Sequence, residues 1–160
     1  MADDPLSVEV VAEASDWDVA AVEAFVARIV PVLGRHLRGA AGMATLALAD
    51  DALVRDLNRR FRGKDKPTNV LSFPSGEVAS GAPLGDIVVA RETLEREAAL
   101  DGKPIDHHLM HLVVHGLLHL LGYDHESDDE AEAMERLETA ILAELGVPDP
   151  YADPVATVGI

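Results

Sequence analysis

Leu6, Val8 and Val10 alternate with Ser7 and Glu9 along LSVEVVAEA, the two-residue period of a strand with one buried face. Asp16 then predicts the cap of a long amphipathic helix from about Trp17 to Arg38, interrupted near Pro31 and Gly34. MATLALAD reads as a second strand. ADDALVRDLNRRF reads as a short helix, with Asp50 or Asp51 at its positive end and Leu53 and Leu57 at i, i+4. The polar, basic RGKDKP forms a loop into the strand TNVLSF, which Pro74 stops. PSGEVASGAP has no period and predicts a mobile loop beside the functional site. LGDIVVAR gives a fourth strand and ETLEREAAL a helix ending at Asp101 and Gly102.

Pro104 opens the next helix, apolar from Leu109 through Leu121 except for its histidines, and Gly122 closes it. Ser127 and Glu130 form a capping box for a last helix that turns Met134, Leu137, Ile141 and Leu145 inward and stops at Gly146 and Pro148. This order predicts an α+β fold, a four-stranded mixed sheet covered by helices. The pattern leaves the strand order open. With no repeat and no long linker, residues 1–160 are expected to form one domain, with about 149–160 as a flexible tail.

Composition narrows the picture. Apolar residues make up 48% of the chain but only six are Phe, Trp or Tyr, so the core is aliphatic. No apolar run is long enough for a membrane helix and MADDPLS is acidic where a signal peptide is basic, so a cytoplasmic protein with no membrane partner is expected. Without cysteine, any metal site is built from His, Asp and Glu. A net charge of −16 argues against nucleic acid, since phosphate binding relies on Lys and Arg. Yet Arg55 to Lys66 holds six of the 13 basic residues against two acids. That permits a local anion site, and an ordinary solvated helix end accounts for the same charges.

The candidate chemistry is concentrated in H115-G-L-L-H119-L-L-G122-Y-D-H125. Side chains four apart stack on one helical face, so His115 and His119 can reach one ion. Gly122 lets the chain leave through a left-handed conformation and bring back His125. Three protein ligands leave a fourth position for water, as in catalytic zinc sites. His111 also lies on that face. Its separation from His119 spans roughly 12 Å of helix axis, too far for a common ion. It is expected one turn away, hydrogen-bonding or shuttling protons near the metal, or as an ordinary packed or solvent-facing histidine.

The spacing is similar to the H-E-x-x-H-x-x-G-x-x-H motif of metzincin peptidases, except that Gly116 stands where their general base would be. The same residues closely resemble the signature of the YbeY family of metal-dependent endoribonucleases. Leu57 to Pro74, Gly85 to Val88 and His108 to Leu112 extend the likeness. The resemblance implies a zinc-dependent single-strand endoribonuclease in small-subunit ribosomal RNA maturation and ribosome quality control. It implies His115, His119 and His125 as ligands of one Zn²⁺ per chain, and it matches Arg62 to the family's functionally important arginine. A guanidinium suits that place because it offers a bidentate fork to a phosphate.

On this reading Arg59, Arg62, Lys64 and Lys66 edge an RNA groove and TNVLSF lines the cleft. Asp86 either orients a ligand imidazole or stabilises a turn. Asp124 and Glu126 are the nearest substitutes for the missing base, ranked below ordinary surface roles. Ribosomal RNA and the ribosome or its assembly intermediates are the implied partners, with ribosomal proteins or a GTPase as protein partners. Two other functions compete: a zinc metallopeptidase, which Gly116 disfavours, and a non-catalytic ribosome assembly factor whose structural zinc would need a fourth protein ligand.

Overall fold

The computed structural model describes residues 5–152. Its elements are β1 (Leu6–Ala12), α1 (Val19–His36), β2 (Gly42–Ala49), α2 (Asp51–Arg62), β3 (Val70–Pro74), β4 (Pro83–Ala90), α3 (Arg91–Asp101), α4 (Ile105–Leu120) and α5 (Asp128–Glu144). They follow the predicted sequence of elements, and the sheet is four-stranded and mixed. Its order is β1-β2-β4-β3, with β1, β2 and β4 parallel and β3 antiparallel to β4. β3 is therefore an edge strand.

Alternation along the strands sorts their side chains onto two faces. Leu46 and Leu48 of β2 and Ile87 and Val89 of β4 join Leu33 of α1, Leu117 of α4 and Ile141 of α5 in the larger core. Val88, Ala90 and Leu71 turn the other way and meet Val54 of α2 in a smaller one. α4 buries ten of its 16 residues, as expected of a helix that is apolar nearly all round. Gly116 makes its close approach possible, because a Cβ there would lie 2.9 Å from Cγ2 of the fully buried Ile87.

Several local expectations are corrected. The cap of α1 is Asp18, whose carboxylate accepts from Ala21 N–H, while Asp16 adopts a positive φ of 74° in the preceding turn. Pro31 does not interrupt α1. A mid-helix proline costs roughly 3 kcal/mol, whereas each buried aliphatic side chain contributes about 1.5–3 kcal/mol. Ile29, Val30, Val32 and Leu33 are buried on both sides of Pro31 and outweigh it.

The PSGEVASGAP loop also lies elsewhere than expected. It joins β3 to β4, and Ala79 and Ala82 run over Gly42 at the start of β2, so only Pro74 at its beginning lines the histidine cleft. The first residues of the segment expected as a flexible tail, 149–152, are described. Tyr151 N–H donates to Asp149, and the Tyr151 hydroxyl reaches the buried Glu138 carboxylate. The rest of that segment, 153–160, lies outside the described residues.

Candidate functional site

α4 carries His115 and His119 one turn apart and ends in a hydrogen-bonded turn that redirects the chain. Gly122 N–H donates to the His119 carbonyl at 3.1 Å, and Tyr123 N–H to the Leu118 carbonyl at 2.9 Å. This pairing requires a left-handed residue between them, and Gly122 supplies it with φ 102°. The reversal brings His125 back over the helix, 5.0 Å from the His119 ring and 5.9 Å from the His115 ring, centroid to centroid. His125 N–H is fixed by the Asp124 carboxylate at 2.7 Å.

One nitrogen from each of the three imidazoles lies within 4.8 Å of the other two. The Nε2 atoms of His115 and His119 are 3.1 Å apart. Two nitrogens bound to one tetrahedral zinc stand roughly 3.3 Å apart, so the His115–His119 pair already has the spacing of two ligands to such an ion. Among the described residues this group has three members.

The outer nitrogen of His115 is also engaged. Its Nδ1 lies 2.5 Å from Oε1 of Glu138, which is fully buried on α5. Donation from Nδ1–H to the carboxylate leaves the Nε2 lone pair directed at the cluster. The other oxygen of Glu138 accepts from the Tyr151 hydroxyl, and His111 Nε2 lies 3.6 Å from that oxygen and 3.2 Å from the hydroxyl. Burial by itself would raise the Glu138 carboxyl. The His111, His115 and Tyr151 contacts outweigh burial and bring it down to about 2. Burial, then the hydrogen bond to Glu138, raises the Tyr151 phenol, while burial and the neighbouring imidazoles lower His119.

These histidines line a 410 Å³ cleft together with residues of the edge strand β3 and Arg62. Arg62 is the last residue of α2 and donates from Nη2 to the Ser72 carbonyl at 2.8 Å. It also borders an adjoining 420 Å³ cleft that includes Lys64 and Lys66. Asn58, buried in α2, holds this basic loop by donating to the Lys66 carbonyl at 2.9 Å.

Not every expected residue is in place. Arg59 borders neither cleft and bonds Asp56 at 2.6 Å. Arg60 and Arg55 are likewise occupied by Asp56 and Asp65. Asp86 is corrected outright: it shares the face of Val88, which packs toward α2, whereas Ile87 faces α4 and its histidines. It therefore cannot orient their rings. Asp124 lines the cleft and Glu126 is exposed. His111 stands beside Glu138 and outside the triangle of three.

Glu138 was not anticipated, although a signal was available. It stands between Met134 and Ile141 in the inward stripe of α5, where an acid has no place without partners. Asn69 belongs to the TNVLSF segment expected to line the cleft, and the structure adds its anchoring by Glu97. It lines both clefts and is held at 2.9 Å by Glu97, which also meets the buried His108.

Comparison with known proteins supplies a family. The family model described as Endoribonuclease YbeY matches residues 9–146. A protein named Endoribonuclease YbeY from Rhodopseudomonas palustris is 55% identical, covering 90% of this chain and 80% of its own length. Another of that name, from Bradyrhizobium diazoefficiens, is 63% identical over 69% of this chain and 64% of its own. The solution structure of TM1509 from Thermotoga maritima superposes with a TM-score of 0.60 at 25% identity, covering 92% of this chain and 97% of that one.

Proposed function

The chain belongs to the YbeY endoribonuclease family, and from that premise we propose that it hydrolyses single-stranded segments of ribosomal RNA during maturation of the small subunit. His115, His119 and His125 would hold one zinc ion. The ion would supply Lewis acidity toward a phosphoryl oxygen and water. Support for zinc comes from the donor set: borderline imidazole nitrogens, no thiolate, and a His115–His119 pair spaced as two ligands of a tetrahedral site.

The chain's own groups have distinct tasks. Glu138 keeps His115 in the tautomer that offers Nε2 to the cluster, with Tyr151 and His111 closing the remaining side of the carboxylate. Arg62 lines the same cleft as the histidines with no carboxylate partner among the described residues, so its guanidinium is available to a phosphodiester. There it stabilises the extra negative charge that develops on the phosphorus oxygens. Lys64 and Lys66 hold neighbouring phosphates along the adjoining cleft. In an acidic chain, this restricted basic edge fixes where RNA can lie.

The observation that carries this reading is the convergence of Arg62 and the three histidines on one cleft. The spacing is metzincin-like, but a peptidase is disfavoured at Gly116. A glutamate there would have to displace Ile87. We place the protein in the cytoplasm with ribosome assembly intermediates as partners, an assignment that fits the RNA substrate. Among the described residues no helix is long and apolar enough to cross a membrane.

The test is cleavage of a small-subunit ribosomal RNA fragment by the wild type, Arg62→Ala and His119→Ala proteins. Both variants should lose cleavage, the first with its zinc content intact. Equal cleavage by all three removes the site from the reaction.

A further inference from the structure

Phe61 ends up where an apolar ring is least expected. It sits on the last turn of α2 with 65% of its surface exposed, on a chain that has three phenylalanines. A single exposed apolar residue needs no explanation. Phe61, however, is held in place: its ring meets Phe73 edge-to-face, with centroids 5.5 Å apart, and Phe73 packs against the smaller core. Two guanidiniums stand beside the rings, Arg62 with no carboxylate partner among the described residues and Arg60 paired with Asp56 at 3.3 Å. The Arg60 guanidinium lies 5.9 Å from the Phe61 ring centre, and that of Arg62 lies 5.6 Å from the ring centre of Phe73.

Arg62 joins this platform to the candidate active site. Its Nη2 donates to the carbonyl of Ser72, which lines the cleft, while its Cζ lies over the ring of the next residue, Phe73. Arg62 lines the histidine cleft, and its chain neighbour Phe61 stands against Phe73 of the edge strand, so the platform begins one residue from the cleft lining. Fixed aromatic rings flanked by cations bind single-stranded nucleic acid by stacking bases and neutralising phosphates. An apolar protein partner would find charge rather than a continuous greasy surface here.

We propose that Phe61, braced by Phe73 and flanked by Arg60 and Arg62, is a stacking subsite for one unpaired nucleobase of the RNA, adjacent to the scissile phosphate. The subsite rests on the endoribonuclease reading and adds to it a requirement for an unpaired base at one fixed position. Stacking selects single strands because a base held in a duplex has no free face to offer.

The experiment measures kcat and KM on a single-stranded ribosomal RNA fragment for wild type, Phe61→Leu and Phe61→Trp. A parallel series of substrates carries one abasic nucleotide at successive positions. Phe61→Leu is expected to raise KM roughly 5- to 100-fold with kcat little changed, and Phe61→Trp to restore it. One abasic position should raise the wild-type KM by a similar factor and have little further effect on Phe61→Leu. The abasic series on wild type also answers the question if the leucine variant fails to fold.

An unchanged KM for Phe61→Leu, or no abasic position that matters, overturns the subsite while cleavage stands. Loss of a ribosomal protein contact with unchanged RNA kinetics overturns it equally. Absence of RNA cleavage by wild type overturns the endoribonuclease reading itself.

Discussion

His115 Nδ1 and Glu138 Oε1 stand 2.5 Å apart, joining the central helix of the candidate site to a carboxylate buried on the last helix. The pair assigns the imidazole proton to the nitrogen facing away from the cluster. Glu138→Gln keeps the volume but replaces a charged acceptor by an amide. It should fold, yet bind zinc about 10- to 100-fold more weakly. Competition with a chromophoric chelator measures this, and unchanged affinity would leave Glu138 a packing residue only.

Acid stability follows from the same carboxyl. Its folded value of about 2 lies below its ordinary value of 4.5, so its contribution is complete above 4.5 and lost as pH falls toward 2. Metal-free wild type should therefore lose stability across that window by on the order of 1–3 kcal/mol more than Glu138→Gln. Urea titrations at a series of pH values would reveal the difference, and parallel acid limbs would refute it.

Much of this site was legible because its key part is local. His115, His119, Gly122 and His125 fall within one helix end and its reversal, where spacing alone dictates geometry. Glu138 and Tyr151 arrive from α5 and the segment after it, contacts that local spacing cannot reveal. Asp86 was misplaced because its role depends on which sheet face α4 covers, and strand parity without strand order does not say. Similarly, Pro31 looked like a break because the helix penalty is local, while the burial that overcomes it comes from the sheet and α5.

Gly116 gives a prediction about packing. Gly116→Ala should gain slightly in helix propensity, but its Cβ meets the fully buried Ile87 at 2.9 Å. Overpacking of this kind costs about 1–3 kcal/mol, which should exceed the gain of about 1 kcal/mol at most. Thermal melting would detect a lower Tm, and an equal or higher Tm would mean that Ile87 gives way freely.

The basic edge should divide by function. Arg62→Lys keeps the charge but loses the planar fork, so kcat should fall by about 100-fold or more with zinc content unchanged. Arg59→Ala should change kcat/KM less than about threefold, because Arg59 already bonds Asp56 at 2.6 Å on the exposed surface. Lys64→Ala and Lys66→Ala should instead raise KM and flatten its salt dependence. Steady-state kinetics at several ionic strengths separates these, and a large Arg59 effect would redraw the RNA path.

The most direct measurement is a zinc titration of metal-free protein, with bound metal and cleavage of single-stranded ribosomal RNA read from the same samples. Cleavage should rise in proportion to bound zinc and level off at one ion per chain, while His119→Ala gains neither. Cleavage at full rate without metal, or by His119→Ala, would contradict a reaction centred on the three histidines.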